Sequence, residues 1–255
     1  MHPAESQQEL PTILSEVGER VARFFGDLPN TTCTEEVRSG PCPVGGDRCG
    51  ATFQDKFRYL VLTHRQDGAP LMTEYRTDMK GRPLDYQHLA NAPMLTYGFA
   101  TAPLEHFNPP NLTASRFRYF GRQTVDGMET DVVGFAEIPG AYGGPTEFGF
   151  KNREVALFVQ GLAWIDTTTH EILRIRTWLL APRPDVGLEA QTTQVEYGAV
   201  RLPEISTTFR LPTTVIVTTV MVDVFLHKHQ FHNVHRYSDY KLFRVEGRIS
   251  PVQEK

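Results

Sequence analysis

The sequence predicts a mainly β (α+β) protein: an antiparallel sheet of about eight to ten strands with one amphipathic helix at its front. Three observations lead there. Residues 10–28 hold the clearest helical apolar stripe, and the runs that follow are β-branched or aromatic segments separated by turn residues. Neither βαβ alternation nor an internal repeat of 20–50 residues occurs.

In the front segment Leu10, Ile13, Leu14, Val17, Val21, Phe24, Phe25 and Leu28 recur at spacings of three and four. That spacing aligns them on one side of a helix, while Glu16, Glu19, Arg20 and Arg23 fall on the other. Pro11 suits the first helical turn and Pro29 stops the helix. A helix so one-sided needs an apolar surface to lie on.

A Cys/Gly/Pro loop follows, GPCPVGGDRCG at residues 40–50, with Cys42 and Cys49 on either side of its centre. A bridge there would remove about 2–3 kcal/mol of unfolded-chain entropy. Two reduced thiols and zinc ligation together with Cys33 are the alternatives, although no C-x2-C pair occurs.

Residues 55–78 read as a hairpin about Gln66-Asp67-Gly68, and 115–125 with 128–138 as a second about Asp126-Gly127. In the second hairpin Phe117, Tyr119 and Gly121 share one face, and Arg116, Arg118, Phe120 and Arg122 the other. Between the hairpins, Pro83, Pro93, Pro103, Pro109 and Pro110 break any long element, with room for a short helix near 87–91. The rest reads as a meander at 155–166, 171–181, 190–200, 205–226 and 228–246. The whole is taken as a single domain, residues 1–255, with strands across 53–246.

At 255 residues, 40% hydrophobic and 22% charged, this is the composition of an ordered globular chain. A net charge of −4 supplies no cationic field, so no nucleic-acid partner is expected. No run reaches the roughly 20 apolar residues of a membrane-spanning helix. The opening residues, MHPAESQQEL, contain no basic region followed by an apolar stretch, so no signal peptide is visible.

Chemistry-bearing motifs are sparse. The segment HKHQFHNVH places His227, His229, His232 and His235 within nine residues. His227 and His229 share a strand face and form a candidate metal pair, the basis of a metal-dependent enzyme reading. The chain has no G-x-S-x-G, H-E-x-x-H, P-loop or strand-following G-x-G-x-x-G. No cofactor and no catalytic residue are expected.

GLAWIDTTTHEILRIRTW at 161–178 resembles a G-x-x-W-I-D-x-x-T-x-E-I-L-R pattern. That pattern belongs to an uncharacterised family of mostly acidobacterial exported proteins, itself similar to the outer-membrane lipoprotein carrier (LolA-like) superfamily. FFGDLPNTTCTEEV at 24–37, residues 126–139, FRLPTTVIV at 209–217 and HNVHRYSDYKLFRVEGRI at 232–249 fit the same group in order. The resemblance implies an unclosed antiparallel β-barrel, or half-barrel, with the helix packed on its concave face. It also implies periplasmic or exported location and a noncatalytic role holding a lipid, an acyl chain or a lipidated partner protein. Val17, Val21, Phe24 and Phe25 from the helix, with Trp164 and Trp178 from the sheet, are the expected lining. The alternative is a structural or interaction module of the cell envelope with a filled core.

Overall fold

The computed structural model describes residues 2–46, 49–66, 69–84, 98–141, 146–150 and 153–243. The sequence-predicted helix near 87–91 and the turn at Asp67-Gly68 lie outside these.

Helix α1 spans Leu10–Asp27 and buries Ile13, Val17, Val21 and Phe25, as its stripe dictates. It ends where Leu28 turns extended, at φ −66° and ψ 118°, as a residue ahead of a proline must. The first three strands are β1 (Thr31–Cys42), β2 (Phe53–Gln66) and β3 (Ala69–Thr77). The central ones are β4 (Ser115–Val125), β5 (Met128–Glu137), β6 (Thr146–Phe150), β7 (Arg153–Leu157) and β8 (Val159–Asp166). The meander closes with β9 (Ile172–Leu179), β10 (Leu188–Arg201), β11 (Thr208–Val222) and β12 (Lys228–Leu242).

Ten strands form one antiparallel sheet in the order β3-β2-β1-β12-β11-β10-β9-β8-β5-β4, and β6 pairs with β7 in a separate hairpin. The sheet is not closed, because β3 and β4 are opposite edges. Helix α1 touches both of these edge strands. A sheet whose two margins meet one helix is curled around it, so α1 lies on the concave face. Strands β1, β2, β4, β5 and β8 to β12 contribute to the core on that face, through residues such as Tyr59, Val133, Ala163, Ile175, Val195 and Val217, and Met72 of β3 packs against it. Phe99, Ala100, Leu104 and Phe107, from the segment between β3 and β4, pack into the same core.

The edge at β4 is guarded by the chain's own front. Ala4 N–H and the Gln7 amide donate to the Tyr119 carbonyl at 2.9 and 3.0 Å, and Tyr119 N–H donates back to Gln7 at 2.8 Å. Pairing shifts register between Tyr119 and Arg122, where Gly121 sits at φ +88°, which a glycine adopts without strain. No helix among the described residues is long and apolar enough to cross a membrane.

The strand at Thr31–Cys42 is absent from the sequence reading, which places the first strand at residue 53. It is central, paired on one side with β2 and on the other with β12.

Candidate functional site

The tight turn between β8 and β9 sets the position of the helix. Asp166 accepts hydrogen bonds from Thr168 and Thr169 N–H at 2.8 and 2.7 Å, and these hold its carboxyl below the usual range against the opposing effect of burial. The turn presents His170 and Glu171 to the polar side of α1. His170 Nδ1 lies 3.2 Å from Glu16, and Glu171 takes Arg20 and Arg210 at 3.1 Å each. The DTTTHE portion of the motif thus ties α1 to β9 and β11.

Beside this tie, a slot of about 150 Å3 stays open between α1 and the sheet. Val21, Phe24, Leu104, Ile172, Tyr197 and Phe209 form its apolar walls. Arg20, Arg23, Asp27, His170, Glu171 and Arg210 surround its mouth. Apolar walls behind a charged rim suit a molecule with an apolar tail and a polar end.

The expected lining residues divide. Val21 and Phe24 border the slot, whereas Val17 and Phe25 are packed into the core around it. Trp164 faces the other way: it packs against Val125 and Val132, donates to Gln123 at 2.8 Å, and carries the Arg174 guanidinium 5.6 Å above its ring. Its neighbours Ala163 and Ile165 take the concave side, so strand alternation corrects the expectation for Trp164. Trp178 shares the parity of Arg174 rather than of the core residue Ile175, and is half-buried on the outer face. Leu104, Tyr197 and Phe209 come from three distant segments, and no local pattern in the sequence joins them.

Further along the concave face lies a buried polar cluster. Glu35 on β1 has no exposed surface and accepts from Arg76 Nη2 at 2.6 Å, His235 Nδ1 at 2.8 Å and Tyr237 at 2.9 Å. Burial pushes the Glu35 carboxyl up, but the hydrogen bonds from His235 and Arg76 outweigh it and hold the group at about 2. Glu74 receives the Tyr59 hydroxyl and the backbone N–H groups of Ala100 and Thr101, which fastens the 98–107 segment over the trough. Burial raises its carboxyl despite these donors. Along the same face of β12, the Asn233 amide and His235 Nε2 are buried with no hydrogen-bond partner.

The four clustered histidines do not form one site. His227 and His229 both contact Asp223, at 3.4 and 2.9 Å, on an exposed hairpin. His232 lies 3.1 Å from the Thr218 hydroxyl, and His235 turns inward to Glu35. Successive residues of a strand meet different neighbours, and these histidines follow their neighbours. Among the described residues one trio brings its ligand atoms within 4.8 Å of one another: Cys42, Cys49 and His232. Its sulfurs are joined as a disulfide, with Cα atoms 4.3 Å apart, so the trio offers only the imidazole. Cys33 is buried and free, and burial pushes its thiol up.

Two solved structures are similar to the chain. One is a DUF1329 family protein from Desulfovibrio piger, at 10% identity over 91% of this chain and 92% of that one, with a TM-score of 0.45. The other is a putative outer membrane lipoprotein-sorting protein domain from Vibrio parahaemolyticus, at 10% identity over 89% of both chains, with a TM-score of 0.39. The likeness is one of fold alone. No family model and no curated protein matches the chain.

Proposed function

We propose that the protein is a noncatalytic, extracytoplasmic binding protein that holds an acyl chain, a lipid or a lipidated partner between α1 and the curled sheet. The slot beside Val21 and Phe24 is the observation that carries this reading. An apolar tail entering it gains about 0.8 kcal/mol for each CH2 buried, with no fixed polar geometry required. An anionic end would remain at the mouth among Arg20, Arg23 and Arg210. The disulfide between Cys42 and Cys49 supports residence in an oxidising compartment.

The slot's 150 Å3 is below the roughly 300–1,000 Å3 of ordinary small-molecule pockets, so a full chain enters only if α1 lifts. The ties across the helix's polar face, Glu16–His170 and Arg20–Glu171, are partly exposed. Pairs of this kind contribute about 0–1 kcal/mol each and oppose that movement weakly. The same small volume, with Phe99, Leu104 and Phe107 filling the trough, favours a second reading: a structural or interaction module whose core is complete.

Native mass spectrometry after mild extraction, paired with uptake of a fluorescent fatty acid, separates the two. A carrier retains added mass and takes up the probe, and Phe24→Arg at the half-buried slot wall removes uptake while leaving the circular dichroism unchanged. Ligand-free protein that takes up no probe would overturn the carrier reading in favour of the filled core.

A further inference from the structure

The hairpin joining β11 to β12 ends in Val224, Phe225 and Leu226, whose exposures are 90, 77 and 81%, while no other large apolar side chain among the described residues exceeds 53%. Three adjacent apolar side chains held in water mark an interaction surface rather than a chance exposure. We propose that this tip is a membrane-docking finger whose partner is a lipid bilayer surface.

The backbone of the tip is closed on itself, as burial against an apolar surface requires. Phe225 and His227 N–H donate to the Asp223 carboxylate at 2.8 and 2.9 Å, and Leu226 N–H donates to the Asp223 carbonyl at 3.0 Å. Asp223 N–H in turn reaches the His227 carbonyl at 3.0 Å. Water would satisfy these groups at an exposed turn without help. A segment entering the acyl boundary must satisfy them internally, because nothing there accepts a hydrogen bond. Leu226 is also held at φ +64°, where glycine or asparagine is the usual occupant, so an apolar side chain is kept against a local backbone preference.

The layering agrees with this. Behind the apolar tip stands a polar collar, with His227 and His229 on Asp223 and Lys228 paired with Glu189, at the level that headgroups would occupy. A second apolar residue lies at the same end of the sheet. Val44, 53% exposed, sits in the disulfide-closed loop that Gln230 of β12 fixes through Gly45 N–H at 3.0 Å and the Gly46 carbonyl at 3.3 Å. The finger is convex and its turn is rigidly closed, which fits a deformable surface better than a preformed groove.

The slot lies at the other end of β11, at Thr208–Arg210, so the inference does not depend on what the slot holds. Co-sedimentation with phosphatidylethanolamine–phosphatidylglycerol vesicles tests it. The wild-type chain is expected to pellet with the vesicles. The Phe225→Ser, Leu226→Asn variant should lose about tenfold or more in partitioning, the worth of one or two buried apolar side chains. Its thermal midpoint and fatty-acid uptake should not change, which keeps this test separate from that of the slot. No binding of the wild type to vesicles, or equal binding by the variant, would overturn the proposal. So would a dimer in vesicle-free gel filtration that the variant converts to monomer, which would assign the tip to a second copy of the chain.

Discussion

Replacing Glu35 by Gln probes the buried ion pair in the trough. The substitution preserves size and removes the charge that offsets Arg76, whose side chain is only 8% exposed while that of Glu35 is fully buried. Breaking a buried, hydrogen-bonded ion pair from one side costs about 3–5 kcal/mol, since a charge remains where water cannot reach it. At about 2–4 °C per kcal/mol for a chain of this size, the melting midpoint should fall by about 6–20 °C. Urea unfolding with an unchanged slope assigns the loss to stability rather than to a changed unfolded state. The double variant Glu35→Gln, Arg76→Met should recover much of the loss, because it removes the second charge while the amide still offers His235 and Tyr237 an acceptor. A single-variant loss under about 1 kcal/mol, or single and double variants equally unstable, would refute the account of Glu35 as a coupled buried charge.

Three further outcomes are expected. Burial lowers His106 from 6.5 to about 4, so its contribution is intact above pH 6.5 and is lost as pH falls toward 4; the gap is worth about 3 kcal/mol. Glu137, raised by burial, acts in the opposite sense, so the test is the difference between wild type and His106→Gln, and parallel stability–pH curves would contradict it. Cys42→Ser should cost about 2.5 kcal/mol through the entropy of a loop with sequence separation 7, read as a lower urea midpoint that reductant reproduces in the wild type. Asn233→Leu should leave stability unchanged or raise it by about 1 kcal/mol, since the amide has no partner to lose; a drop of more than about 1 kcal/mol in urea titration would show that the amide is in use.

The parts of the fold that are legible in the sequence are those where local chemistry decides. The stripe from Ile13 to Phe25 can only be a helix lying on something apolar, and Asp126-Gly127, both at positive φ, can only be a tight hairpin turn. Strand β1 escapes because its inner face carries Thr31, Cys33, Glu35, Val37 and Ser39, which show no apolar alternation. Burying Glu35 there becomes sensible only once Arg76, His235 and Tyr237 arrive from other strands. The two tryptophans mislead for a related reason. Alternation says that Trp164 and Ala163 take opposite faces, but not that the crowded concave face takes the alanine. An extra residue in β11, Thr213, lies opposite Glu196/Tyr197 and shifts the β10–β11 register, so Tyr197 could not be matched to Phe209 across the slot by counting. Asp223, the carboxylate that His227 and His229 meet, lies across a turn rather than along their strand.

The ladder between β1 and β12 brings Thr31 against Leu242 and Cys42 against Gln230, so the first strand made waits for the last. Loop-closure entropy grows only slowly with length, but contacts spanning 200 residues cannot form until nearly the whole sheet exists. A seam of such long sequence separation is expected to pace refolding, so destabilising β12 should slow the folding limb of a urea chevron more than an equal loss in the hairpin β4–β5, which assembles from neighbours in the chain.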